Sequence, residues 1–168
     1  MKMKSLQDLY IDCLRDLHSA EAQLVKALPK MAKAASSPDL QQAFTDHLEE
    51  TRGHVERLDQ IFKKLGKRGT GKKCAAMEGL IEEGKELLEV EAEPDVLDAG
   101  LIGAAQKVEH YEMAAYGTAR TWARQLGDHE AADLLQQTLD EEGAADKKLT
   151  ELAESGVNME AAMAQIPH

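Results

Sequence analysis

Four stretches of this 168-residue sequence place carboxylates where apolar residues are due. Glu21 follows Leu17 by four residues and precedes Leu24 by three, inside an apolar stripe of helical spacing. Glu50 and His54 share a helical face with His47, Leu58 and Ile61. Glu109 and Glu112 stand three apart beside Ala105, Val108 and Ala115, while Glu142 and Asp146 fall among Leu135, Leu139 and Leu149. Burying an isolated ionised carboxylate costs several kcal/mol even after relaxation. Neighbouring carboxylates also repel, so most must stay protonated unless something compensates. Lys and Arg are scarce on the same stripes. A pair of divalent cations compensates both effects, because it brings four positive charges and takes up the carboxylate oxygens. Bundles with one inward Glu per helix, and a further ligand one turn away on two of them, hold di-iron or di-manganese centres in this manner.

The spacing repeats. Glu21 to Glu50 is 29 residues with His54 four further on, and Glu112 to Glu142 is 30 residues with Asp146 four further on. Two related metal positions produce such a pattern, and Glu21, Glu50, Glu112 and Glu142 are expected to converge. The competing reading places the same acids at bundle edges, where they reach solvent. His47, three residues before Glu50, is a ligand or a hydrogen-bond partner of one, and His18 stands in the same relation to Glu21. Tyr116, one turn after Glu112, packs in the core or hydrogen-bonds a ligand.

These residues need long helices to carry them, and the punctuation for such helices is plain. A first apolar pattern runs from Leu6 to Met31, with a kink or break expected near Pro29. Ser37 and Pro38 form the start of a second helix that stops at Gly66. A shorter third follows the loop Gly66 to Lys73, and Pro94 opens a fourth that stops at Gly127. Asp128 caps a fifth, Gly156 ends it, and Asn158 is a cap for a last short turn. No segment alternates with period two over a convincing length. The expectation is an all-α single domain, 1–168: a four-helix bundle with one long crossover carrying the extra short helix.

Charge and composition narrow the partners. Lys and Arg number 20 against 31 Asp and Glu, a formal net charge of -11, which argues against nucleic acid and against an anionic membrane surface. No apolar run is long enough to span a bilayer. The first ten residues lack the apolar core of a signal peptide, and Cys13 and Cys74 sit in no disulfide or metal pattern, so a cytoplasmic location is expected. The basic cluster Lys63, Lys64, Lys67, Arg68, Lys72 and Lys73 reads as a solvated loop that offsets the acidic surface.

HLEETRGHVERLDQ (His47 to Gln60), CAAMEGLIEEG (Cys74 to Gly84) and AAQKVEHYEMAAYGTA (Ala104 to Ala119) resemble the YciF/YciE family of bacterial ferritin-like proteins. The resemblance covers Leu6 to about Asn158, with the segments in the same order. It implies a ferritin-like bundle, a homodimer, a rubrerythrin-like dinuclear iron or manganese site and production under stress. Residue by residue, Glu21, Glu50 and Glu142 match the family acids of three helices, and Glu109 with Glu112 resembles the E-x-x-E of rubrerythrins. The usual E-x-x-H is absent twice; His54 and Asp146 stand four residues on instead. With Glu109 and Asp146 counted, six carboxylates and one His face two metals, formally -6 against +4. Glu109 or Asp146 is then the acid that is protonated, paired or outside the ligand set. The expected activity is an oxidoreductase reacting with peroxide or dioxygen, of ferroxidase, peroxidase or catalase type. The alternative is a stress protein whose metal only braces the bundle.

Overall fold

The computed structural model describes residues 3–164, and all regular structure among them is helical. In chain order the helices are α1 (Leu6–Ala34), α2 (Pro38–Leu65), α3 (Ala75–Glu89), α4 (Pro94–Gln125) and α5 (His129–Leu152). A π-helical stretch, Ala153–Val157, then leads into α6 (Asn158–Met163). The starts are made by polar side chains that satisfy otherwise orphaned backbone donors. Ser5 accepts from the Asp8 N–H at 3.1 Å, Ser37 from Leu40 at 3.4 Å, and Asp128 from Ala131 at 3.2 Å. Gly66 closes α2 with φ 61, a left-handed conformation that a Cβ disfavours.

Cross-helix bonds fix the directions. Arg57 of α2 reaches Thr138 and Glu141 of α5 while Lys64 reaches Asp128 and Glu130, so α2 and α5 are antiparallel. Tyr116 with Glu21, and Asp98 with Ser36, make α1 and α4 antiparallel in the same way. The α1–α2 and α4–α5 connections are short, so α1 and α5 run one way and α2 and α4 the other. That order demands a long crossover, and residues 66–93 supply it with α3 along the way. The all-α, ferritin-like bundle expected from the sequence is therefore the fold observed.

Two expectations at helix ends differ from the structure. Pro29 neither breaks nor ends α1, which continues to Ala34. A proline withholds only its own N–H, and beyond it the Ala35 N–H donates to Met31 O at 3.0 Å while Leu28 and Met31 pack in the core. At the other end Gly156 does not stop the chain: it lies within the π-helical stretch, and Asn158 makes no side-chain cap bond. The basic cluster is largely neutralised in place. Lys64 pairs with Asp128 and Glu130, Lys72 with Asp12 and Asp16, and Lys73 with Glu78.

The apolar core divides into two layers along the bundle. One gathers Leu24, Leu28, Phe44, Leu101, Ile102 and Leu149, and the other Tyr10, Leu14, Leu17, Leu58, Ile61 and Leu135. Met77 of α3 is fully buried in the first layer, and Leu80 and Ile81 pack against it. The face of α3 that sequence reasoning offered to a dimer contact is thus largely used within the chain. Among the described residues, no helix is long and apolar enough to cross a membrane.

One buried carboxylate outside the stripes discussed above holds a connection. Asp98, at the start of α4, accepts the N–H groups of Ser36 and Ser37 at 2.8 and 2.7 Å and ties the α1–α2 turn to α4. Asp98→Ala should lower the free energy of unfolding by about 2–3 kcal/mol, since hydrogen bonds to a charged acceptor are lost and its donors are left to water. Urea denaturation measures this; a loss below about 0.5 kcal/mol would mean that solvent satisfies both groups.

Candidate metal centre

Between the two apolar layers, α1, α2, α4 and α5 bring six titratable side chains into one volume: Glu21, His47, His54, Glu109, Glu112 and Glu142. Ligand-type atoms of His47, Glu109, Glu112 and Glu142 lie within 4.8 Å of one another, and so do those of Glu21, His54 and Glu142. Glu142 belongs to both groups. All six residues are buried, with Glu21, His54, Glu112 and Glu142 showing 0% exposure. The stripes explain their convergence. On α2 the buried positions are Leu40, Phe44, His47, Thr51, His54, Leu58 and Ile61, a run of threes and fours that keeps both imidazoles facing α5 and α4. Ala105, Val108, Glu109, Glu112 and Tyr116 do the same on α4.

The polar atoms in this volume are conspicuously unpaired. Glu21 Oε2, His47 Nε2, His54 Nδ1, Glu109 Oε2 and both oxygens of Glu112 and of Glu142 are buried without a hydrogen-bond partner. Buried polar groups are normally satisfied. His54 Nδ1 lies 3.0 Å from Glu142 Oε1 and 3.3 Å from Glu21 Oε1, ion-pair distances without hydrogen-bond alignment. His47 Nε2 lies 3.3 Å from Glu109 Oε1 and 3.7 Å from Glu142 Oε2. The two rings stand 6.3 Å apart between centroids.

Outside the cluster each imidazole has an acid behind it. His54 Nε2–H donates to Glu141 at 2.9 Å, and Arg57 clamps Glu141 with two bonds of 2.6 and 2.8 Å. Glu141 accepts only, so the proton belongs on Nε2 and Nδ1 turns inward, the arrangement that orients and strengthens a metal-binding histidine. His47 Nδ1 faces Glu50 Oε2 at 3.3 Å, but Glu50 is about half exposed. Tyr116, fully buried, donates its phenol to Glu21 Oε1.

The electrostatics of the metal-free cluster follow from this crowding. Burial, then the charges of Glu142 and Glu21, push Glu109 and Glu112 well above the ordinary carboxylate range. Burial raises Glu21 as well, against the pull of His54. Burial works against a charged His54, but Glu142 and Glu21 outweigh it and raise the imidazole to about 10. Burial likewise opposes ionisation of Glu142, yet His54 and His47 hold it down at about 2. Glu141 lies below its ordinary value because Arg57 and His54 overcome its partial burial.

Of the residues singled out from sequence, the structure brings together Glu21, His54, Glu109, Glu112 and Glu142. Glu50 and Asp146 do not enter the cluster, so the expected convergence of Glu50 with Glu21, Glu112 and Glu142 is not what the structure shows. The buried stripe of α2 passes through Thr51, one position on, and leaves Glu50 at its edge. Asp146 is turned toward α4, where it accepts from Gln106 at 3.2 Å and lies 3.3 Å from His110. His47 is instead the second inward imidazole. The three-and-four run from Leu40 to Ile61 through His47 and His54 was its signal. Glu141 and Arg57 carried no comparable signal, because their pairing depends on how α5 docks against α2.

Comparison with known proteins follows the same lines. A family model described as "Domain of unknown function (DUF892)" matches residues 5–162. Protein YciF of Escherichia coli (strain K12) is 52% identical over 162 residues, 96% of this chain and 98% of that protein. The crystal structure of the E. coli stress protein YciF matches with a TM-score of 0.89 at 53% identity, covering 93% of this chain and 99% of that one. YcfI from Rhodopseudomonas palustris matches with a TM-score of 0.85 at 47% identity, covering 89% of this chain and 95% of its own. A ferritin-like, diiron-carboxylate protein from Bacillus anthracis str. Ames reaches a TM-score of 0.69 at 18% identity, over 89% of this chain and 99% of that one. At that identity the likeness is one of fold.

The protonation pattern has a consequence for stability. Folded and metal-free, Glu21, Glu109 and Glu112 keep protons that the unfolded chain releases above 4.5, and His54 keeps one up to about 10 that the unfolded chain releases near 6.5. The folded state therefore binds more protons between about pH 5 and pH 8, and its stability falls as pH rises through that window. Glu142 and Glu141 act in the opposite sense, but only below 4.5. The melting temperature of metal-free protein should be highest near about pH 5 and decline toward about pH 8. Saturating metal should reverse the trend by competing with those protons. Calorimetry across this range checks both; a metal-free profile that rises with pH contradicts the assignment.

Proposed function

The chain belongs to the DUF892 family, with the stress protein YciF among its close relatives, and from that premise we propose that it is a dinuclear metalloprotein reacting with peroxide or dioxygen. The observation that carries this reading is the set of buried, unpartnered donor atoms contributed by four helices to one volume. Four carboxylates with two neutral imidazoles carry a formal charge of -4, which two divalent cations cancel. The larger set expected from sequence left an excess of two negative charges; with Glu50 and Asp146 outside, that excess disappears. His47, Glu109, Glu112 and Glu142 would hold one ion and Glu21, His54 and Glu142 the other, with Glu112 close to both. Oxygen-rich sites of this kind take iron or manganese.

A bound pair of iron or manganese ions supplies reversible one-electron steps and open positions for a small oxidant. The chain itself does the rest. Arg57 and Glu141 hold the His54 ring so that Nδ1 points inward. Tyr116 fixes one oxygen of Glu21 by donating its proton, which leaves Oε2 unpartnered. Leu17, Leu58 and Leu135 on one side, and Phe44, Ala105 and Val108 on the other, belong to the apolar layers that keep water away. The same reading takes the protein as a cytoplasmic homodimer, to be checked by sedimentation.

Two readouts separate a reactive centre from a brace. Purified protein should bind two Fe(II) per chain and consume peroxide or dioxygen as Fe(II) is oxidised. Glu112→Ala should lower the metal content and abolish that consumption. It should also raise metal-free stability by relieving like-charge repulsion. Metal binding without oxidant consumption would leave a metal-braced stress protein. Unchanged metal content in Glu112→Ala would remove Glu112 from the centre.

A further inference from the structure

The two ends of the cluster differ in how they meet solvent. At the Glu21–His54 end both residues show 0% exposure, Tyr116 closes over Glu21, and the Arg57–Glu141 pair covers the outer edge of His54. At the other end an open cleft of about 1030 Å³ runs between α2, α4 and α5, and His47 and Glu109 form part of its wall. Both are more than nine-tenths buried, and each presents an unpartnered atom, Nε2 of His47 and Oε2 of Glu109. Asp39, Asp46 and Glu50 line the same cleft, with Lys148 as its cation. The His47 ring stands between them: Nδ1 faces Glu50 at 3.3 Å and Nε2 faces Glu109 at 3.3 Å. The apolar groove between α1, α3 and α4, lined by Leu24, Met31, Leu80 and Ile81, touches none of the six cluster residues.

We infer that this acidic cleft is the loading route for divalent cations, with Glu50 as the transfer residue that hands them past His47 to the Glu109 side of the centre. The inference rests on the metal-centre reading above and gives Glu50 a role distinct from that of a permanent ligand. Glu50 is suited to it because it is charged, half exposed and adjacent to an inward imidazole, yet not clamped as Glu141 is by Arg57. The position formed by His47, Glu109, Glu112 and Glu142 is the one reached first from solvent, and the Glu21–His54 position fills through it. Acids lining a cleft raise the local concentration of cations and the rate at which they arrive, and salt screens the effect.

The test follows Co(II) uptake by metal-free full-length protein, using stopped-flow visible absorption, with the final Co(II) content measured separately. Glu50→Gln keeps a hydrogen-bond partner for His47 and removes the charge. Loading should slow roughly 3–10-fold at low ionic strength, with the difference shrinking in high salt and the final content staying at two per chain. Lys148→Gln should accelerate loading. Glu86→Gln, the same charge change on α3 outside the cleft, should leave the rate unaltered. Equal loading rates for wild type and Glu50→Gln overturn the route while leaving the centre intact. A final content below two in Glu50→Gln also overturns it, because Glu50 is then a standing ligand. Failure of the wild type to bind Co(II) removes the centre and the route together.

Discussion

Four carboxylates buried at the middle of a helical bundle, with no lysine or arginine among them, are the constraint around which this molecule is arranged. Each would cost several kcal/mol to hold ionised and alone. Without a cation the solution is protons: Glu109 and Glu112 are kept neutral, and His54 is kept charged beside Glu142. That arrangement leaves oxygens and nitrogens without hydrogen-bond partners, a state a stable core does not ordinarily tolerate. The helices are long because the cluster needs an apolar layer on either side of it. The crossover through α3 follows from the direction each ligand-bearing helix must take.

The two imidazoles on α2 share one design and differ in how firmly it is built. Each ring has a carboxylate on its outer nitrogen. For His54 that carboxylate is Glu141, pinned by a bidentate arginine, so the ring orientation is fixed from α5. For His47 it is Glu50, on the same helix and open to solvent. A sealed, rigid end and an open, acid-lined end therefore flank a shared Glu142. The asymmetry is a property of side chains; the helical frame around them is nearly symmetric, two antiparallel pairs with acids at matching depth.

The helices and most of the ligands were legible in the sequence because both follow from local periodicity. Ser37–Pro38, Gly66, Pro94 and Asp128 mark ends that caps and fixed dihedrals create wherever they occur. Glu21, Glu109, Glu112 and Glu142 were recognisable as acids within apolar stripes. Glu50 was misplaced because a carboxylate four residues before His54 resembles a ligand spacing, whereas the stripe itself runs through Thr51. Asp146 was drawn in by analogy between the halves, and its oxygens go to Gln106 and His110 instead. The Arg57–Glu141 clamp and the Asp98 tie could not be read in advance. Both join residues more than sixty positions apart, and nothing local marks either end.

The account stands or falls on two divalent ions sitting where these side chains converge. The most direct measurement is an anomalous difference map, collected at the metal absorption edge, from crystals of protein loaded with iron or manganese. Two peaks per chain within the volume enclosed by Glu21, His47, His54, Glu109, Glu112 and Glu142 are the predicted result. Peaks confined to the surface, with the buried carboxylates closed upon one another through shared protons, would contradict it.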